Sequence, residues 1–201
     1  DQQRRQERMS NRIGDLLALV NRWLRGFSVD VAPLKEGFRP VAISAPVANA
    51  VESAQTEAVR KAVGDDMTLM LDSTWAYGYE DAVRVGRAIE ALNYFWYEDP
   101  LAEEDIYNYI KLRNKLDIPI MSTEFAPGRL YGMAQWIQQM ATDILRGDVA
   151  VTGGITPLVK IAHLAEAFRM KCEIHHGGNS LNNVANLHVI MAVNNCDYYE
   201  V

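Results

Sequence analysis

Three carboxylates fall at matching places along the chain. Asp72 follows Leu69-Met70-Leu71, Glu98 follows Phe95-Trp96-Tyr97, and Glu124 lies just past Pro119–Met121, with Ser122 and Thr123 between. The steps from Asp72 to Glu98 and from Glu98 to Glu124 are both 26 residues. Each acid closes a short apolar run that reads as a β-strand, with a helix-length stretch before the next. The pattern brings three oxygen donors to the ends of neighbouring strands. Three carboxylates gathered at one point cannot all stay ionised without a counter-charge. A hard cation with oxygen ligands, most naturally Mg²⁺, supplies it. Any one of these acids alone reads more simply as a helix N-cap or loop residue. The regular spacing of three sets the metal reading above that one.

Asp148 ends the next apolar stretch, Ile144-Leu145-Arg146-Gly147-Asp148, and His175 follows 27 residues later in Cys172-Glu173-Ile174-His175-His176. A carboxylate beside an imidazole fixes its tautomer and raises its basicity, which suits a general base. His176 competes for the role. Adjacent strand residues point to opposite faces, so only one of the two enters a site. The spacing from Asp148 favours His175, whereas an earlier strand end would leave His176 as the base. His163 and His188 lie on helix candidates and read as structural. Gly177 and Gly178 would let the backbone approach a ligand closely. Asn179, Asn182 and Asn183 either bind substrate hydroxyls or shape the loop and cap the helix after it. His176 and Asn179 are the substrate-binding candidates. Glu200 closes a last short run, Tyr198-Tyr199.

The elements that must position these groups alternate. Strand candidates are Phe38–Ser44, Thr68–Leu71, Tyr94–Tyr97, Pro119–Met121, Ile144–Leu145 with Val149, Cys172–Ile174 and Tyr198–Tyr199. Between them the spacing of apolar residues predicts helices over Ala48–Val63, Tyr79–Ala91, Glu103–Leu116, Leu130–Met140, Pro157–Phe168 and Leu181–Val193. Strands separated by helices mean parallel βα units, and seven in succession favour a TIM-type (β/α) barrel over an open sheet. In such a barrel the C-terminal strand ends are where chemistry is built. A full barrel takes about 250 residues, so 201 residues are expected to hold an incomplete one. Residues 1–37 read as a helix (Ile13, Leu16, Leu17, Val20, Leu24) and a loop leading in, and residues 38–201 as the barrel domain.

Hydrophobic residues make up 49% and charged residues 23%, with a formal net charge of −6, a globular balance that disfavours nucleic acid or an anionic membrane as partner. Two cysteines outside any CxxC pair point to a reduced, cytoplasmic protein. No apolar run reaches the roughly 18 residues that span a bilayer.

The segments Leu69-Met70-Leu71-Asp72, Tyr97-Glu98-Asp99-Pro100 and Ser122-Thr123-Glu124 resemble the metal-ligand segments of the enolase superfamily, in its mandelate racemase and muconate lactonizing enzyme-like branch. The resemblance runs from about Phe38 to the C-terminus and includes Gly153-Gly154. It implies a modified, enolase-like barrel, Mg²⁺ on Asp72, Glu98 and Glu124, and a dyad of His175 as base with Asp148 as partner. It implies further that Glu200, as a neutral acid, donates a hydrogen bond to a substrate carboxylate, and that the protein is a homo-oligomer. The resembled enzymes carry a separate N-terminal capping domain, which these residues do not contain. Many of them also carry Lys-x-Lys on the second strand, where this chain has Ala42 and Ser44. Racemisation usually needs two opposed bases and dehydration can use one. The resemblance therefore implies a lyase, an acid-sugar dehydratase acting on a small carboxylate. A racemase, epimerase or cycloisomerase, or an inactive metal-binding relative, are the alternatives.

Overall fold

The computed structural model describes residues 40–44, 51–177 and 180–200. The expected N-terminal helix and loop, the 37/38 boundary, Gly178 and Asn179 lie outside them. The described elements run β1 (Pro40–Ser44), α1 (Val51–Val63), β2 (Thr68–Asp72), α2 (Tyr79–Ala91), β3 (Tyr97–Glu98), α3 (Ile106–Lys115), β4 (Ile120–Ser122), α4 (Arg129–Gln138), β5 (Ile144–Gly147), α5 (Val149–Thr152), α6 (Ile155–Ala167), β6 (Lys171–Ile174) and α7 (Ser180–Ile190). The six strands form one sheet in chain order, every neighbouring pair parallel. The sheet is a curled half-barrel: among the described residues β1 and β6 each have a single neighbour. One row of register partners runs Ser44, Asp72, Glu98, Met121, Ile144, Lys171. It starts at the C-terminal ends of β1 to β3 and finishes at the first residue of β6, the stagger that a barrel sheet requires.

Side chains alternate across each strand, and the two faces do different things. Leu69, Leu71, Tyr97, Ile120, Leu145, Cys172 and Ile174 face the helices in one large apolar cluster. There they meet Val85 and Ile89 of α2, Leu112 of α3, Trp136 of α4, Ile161 of α6 and Val189 of α7. Met70, Trp96 and Met121 form a second, smaller cluster with Ile144 and Tyr198. This is the inner face, and the polar site stands above it on the next inward positions. Burial on both faces explains why the strands read as continuous apolar runs.

Local signals set the helices. Glu80 and Asp81 stand in the first turn of α2, where acids favour the helix dipole. The Asp105 side chain accepts the Asn108 N–H at the start of α3. Pro157 sits in the first turn of α6, where its missing N–H costs nothing.

Three strand expectations are corrected. Val149 begins α5 instead of extending β5, because the Asp148 side chain caps a helix there. Two-sided pairing of β3 begins only at Tyr97, although Phe95 N–H already donates to the Leu69 carbonyl at 2.7 Å. Tyr198–Tyr199 is not a strand. The Glu173 carboxylate accepts the N–H groups of Asp197 and Tyr198, which a strand would offer to its neighbour's backbone.

Candidate active site

The predicted residues gather at the C-terminal ends of the strands. Asp72 and Glu98 end β2 and β3 as register partners. Glu124 follows β4, Asp148 follows β5 and His175 follows β6. Glu98, Asp99 and Glu124 each offer an oxygen within 4.8 Å of the others. Asp72 lies outside that group, and its Oδ1 accepts the Thr74 N–H at 2.9 Å. Thus the structure gathers two of the three expected ligands with Asp99, and places Asp72 beside Glu98 on the neighbouring strand.

Arg146 stands in the middle of these acids. Its Nε lies 2.5 Å from Glu98 Oε1 and 3.2 Å from Glu124 Oε2, and its terminal nitrogen 2.5 Å from Glu200 Oε1. Arg146 is 3% exposed and Glu98 2%. Burial pushes the Glu98 carboxyl up to about 8; Arg146 opposes this, and Asp72, Glu200 and Glu124 add to it. Burial likewise raises Glu124, against Arg146 and His175, and Asp72, against its Thr74 bond and Arg146. The Arg146 guanidinium is held above its ordinary range although burial opposes it, because Glu98, Glu200 and Glu124 face it. One guanidinium among four carboxylates leaves positive charge in deficit. An all-oxygen donor set with such a deficit, next to an unpartnered buried Asp99 Oδ1, fits a hard divalent cation.

Asp148 divides its two oxygens. Oδ1 accepts the Ala150 and Val151 N–H groups at 2.6 and 3.3 Å, capping α5. Oδ2 meets His175 Nδ1 at 3.0 Å, Asn182 Nδ2 at 2.8 Å and Asn186 Nδ2 at 2.7 Å. Burial would raise this carboxyl, but the bonds from His175, Asn186, Asn182 and Ala150 hold it well below the usual carboxylate range. An ionised Asp148 only accepts, so Nδ1 of His175 carries the hydrogen. Nε2 then faces Glu124 Oε1 at 3.4 Å. Burial lowers the His175 pKa, yet the Asp148 bond and the Glu124 charge outweigh it and the net shift is upward. A Cβ at residue 177 would sit 2.9 Å from His175 Nε2, so Gly177 keeps that nitrogen open.

His176 is engaged elsewhere. Its Nε2 lies 3.1 Å from the Asn183 carbonyl, and its ring packs 4.2 Å from that of Tyr199. Its N–H donates to Glu200 Oε2 at 2.6 Å. Glu200 is therefore tied down on both oxygens. Burial would raise its pKa, but Arg146 and the His176 N–H lower it. Both of its oxygens accept here, from Arg146 and from the His176 N–H, so the expected role as a hydrogen-bond donor to a substrate carboxylate would require Arg146 to leave it.

Sequence reasoning passed over Arg146, Asp99, Glu103 and Asn186. Arg146 was findable, since it lies two residues before Asp148 and so on the same strand face. Asn186 lies one helical turn beyond Asn182, which places both on one face of α7. Glu103 had no local signal, because the Ser122, Thr123 and Phe125 groups it binds lie 19–22 residues away, at and just past the end of β4.

The chain is similar to known proteins. Arabinonate dehydratase of Saccharolobus solfataricus is 28% identical over 162 residues, 80% of this chain and 43% of that protein. D-galactarolactone cycloisomerase of Agrobacterium fabrum is 33% identical over 136 residues, 68% of this chain and 36% of that protein. The crystal structure of D-glucarate dehydratase from Agrobacterium tumefaciens complexed with magnesium superposes with a TM-score of 0.75 at 40% identity, covering 82% of this chain and 44% of that one. The chain thus spans under half the length of each. The family model described as enolase C-terminal domain-like matches residues 26–201. With its staggered parallel half-barrel and its acids at the strand ends, this chain belongs to the enolase C-terminal domain-like family.

Proposed function

We propose that these residues form the metal and acid–base centre of a Mg²⁺-dependent lyase that removes the proton α to a carboxylate, an acid-sugar dehydratase. The observation that carries the reading is His175, held by Asp148 through Nδ1 with its Nε2 facing the acid cluster at Glu124. Asp72, Glu98 and Glu124 would hold the ion. When bound, it supplies positive charge against the negative charge that builds on the substrate carboxylate.

The chain's own groups do the proton work. Neutral His175 takes the α-proton at Nε2 while Nδ1 keeps its bond to Asp148. The C–H electron pair becomes the C=C bond, and the C–O bond to the β-hydroxyl breaks with its pair on oxygen. The imidazolium, stabilised by Asp148, returns its proton to that oxygen and water leaves. The resulting enol tautomerises to a 2-keto-3-deoxy acid. One base suffices for this sequence, which suits Ala42 and Ser44 at the positions where many of the resembled enzymes carry lysines. The arabinonate and D-glucarate dehydratases among the relatives support the substrate class.

A second reading, cycloisomerisation or racemisation, draws on the cycloisomerase relative. Incubation with Mg²⁺ and a panel of sugar acids in D₂O separates them. Dehydration gives a 2-keto-3-deoxy product. Exchange of the α-hydrogen without loss of water supports an isomerase, and neither outcome leaves an inactive relative. Among the described residues no helix is long and apolar enough to cross a membrane. Unpaired Cys172 and Cys196 support a cytoplasmic setting as part of the proposal.

A further inference from the structure

Glu103 lies in the loop between β3 and α3, is 4% exposed, and takes part in none of the steps above. Its Oε1 accepts the Thr123 N–H at 2.6 Å and the Ser122 hydroxyl at 3.3 Å. Its Oε2 accepts the Phe125 N–H at 2.5 Å. One carboxylate thus holds the backbone donors on both sides of Glu124.

That turn needs holding. Thr123 has φ 97°, a left-handed conformation that a β-branched residue rarely adopts. Its hydroxyl accepts the Arg146 N–H and donates to the Arg146 carbonyl, both at 2.9 Å, in place of a sheet bond between β4 and β5. Such a backbone persists only where its surroundings over-determine it, and here Glu103 and the β5 backbone do so. The bend aims Glu124 at Arg146 and His175. A carboxylate is required, because both of its oxygens accept an N–H; a glutamine would set its NH₂ against one of the two donors. Asp99 packs beside Glu103 as a second buried acid. An apolar side chain would fill this space but leave the Thr123 and Phe125 N–H groups without this acceptor, so packing alone does not account for Glu103.

We infer that Glu103 is a positioning residue: by clamping Thr123 and Phe125 it fixes the direction in which Glu124 presents its carboxylate to a bound cation. The inference rests on the metal reading proposed above. The test is calorimetric titration of the protein with MgCl₂. Glu103→Gln should weaken Mg²⁺ binding by about 10- to 100-fold, the usual effect of removing a group that orients a ligand. Glu173→Gln removes a comparable buried clamp, on Asp197 and Tyr198, and should leave Mg²⁺ affinity near that of the wild type. Unchanged affinity in Glu103→Gln, or equal losses in both variants, overturns the inference. A wild type that takes up no Mg²⁺ overturns the metal reading and the inference with it. Should Glu103→Gln not fold, amide hydrogen exchange of the wild type decides. The Thr123 and Phe125 amides should be protected, and more so with Mg²⁺. Exchange as free as that of exposed Glu104 would overturn the clamp.

Discussion

Replacing Arg146 with methionine separates the charge balance of the site from its packing. Arg146 lies within 2.5–3.2 Å of Glu98, Glu124 and Glu200. Unit charges about 4 Å apart attract by about 4 kcal/mol at an effective dielectric near 20, so three such pairs would set a ceiling near 12 kcal/mol. The real loss is smaller, because a stranded carboxylate neutralises itself by taking a proton, and Glu98 already sits at about 8. Removing one partner of a buried ion pair typically costs about 3–5 kcal/mol, and that is the loss expected for Arg146→Met in EDTA. A divalent cation offers the same carboxylates a different counter-charge. Mg²⁺ at a hundredfold excess over its dissociation constant adds about 2.7 kcal/mol to any protein that binds it only when folded. The variant, with no guanidinium competing for Glu98 and Glu124, should gain more than the wild type at the same Mg²⁺ concentration. Urea denaturation with EDTA and with Mg²⁺ measures both quantities. A loss in EDTA below about 1 kcal/mol, the worth of an exposed ion pair, would refute the charge argument. So would a Mg²⁺ stabilisation no larger in the variant than in the wild type.

Other substitutions test the remaining assignments. Glu98→Gln should abolish tight Mg²⁺ binding and leave the circular dichroism spectrum unchanged; unaltered calorimetric affinity would remove Glu98 from the ligand set. His175→Asn should slow α-proton exchange into D₂O by about 10²- to 10⁴-fold, the usual contribution of a general base, with Mg²⁺ binding retained, while His176→Asn should leave exchange largely intact. The reverse pattern would make His176 the base. Gly177→Ala should reduce turnover and keep Mg²⁺ affinity, since the added Cβ would lie 2.9 Å from His175 Nε2; wild-type kinetics in that variant would show that the nitrogen needs no such clearance.

The parts of this fold that were legible in the sequence are those written in short-range pattern. Helix α2 coincides with the expected Tyr79–Ala91, because its apolar residues recur at helical spacing and acids mark its start. The strands were legible because both of their faces are buried. The Tyr198–Tyr199 segment misled for the same reason: its composition is that of a strand, but a buried glutamate supplied by β6 takes its backbone donors. The site divided in the same way. Spacing located Asp72, Glu98, Glu124, Asp148 and His175, since one βα unit separates each from the next. It carried no information on which rotamer each acid adopts, so it missed both the turn of Asp72 toward Thr74 and the pairing of Glu200 with Arg146. The Glu200 pairing follows from charge balance between groups far apart in the chain, whereas the Asp72 bond is local, an acid side chain accepting a backbone N–H two residues on.

Asp148 shows why a structural reading and a catalytic reading of one acid need not compete. An acid after an apolar run is ordinarily a helix cap, and Asp148 is one, with Oδ1 on the Ala150 and Val151 N–H groups. Capping fixes the carboxylate against a rigid element and leaves Oδ2 pointing along a defined direction. That oxygen then meets His175, Asn182 and Asn186. The two asparagines donate from one face of α7, so the oxygen is held independently of the imidazole. Four donors besides the imidazole keep the carboxyl ionised, and an ionised carboxylate can only accept. The histidine hydrogen is thereby confined to Nδ1 and the lone pair to Nε2, the atom that Gly177 leaves uncovered. In the proposed mechanism the cap thus sets the tautomer of His175, and the short helix α5, which apolar periodicity alone did not reveal, helps to position the base.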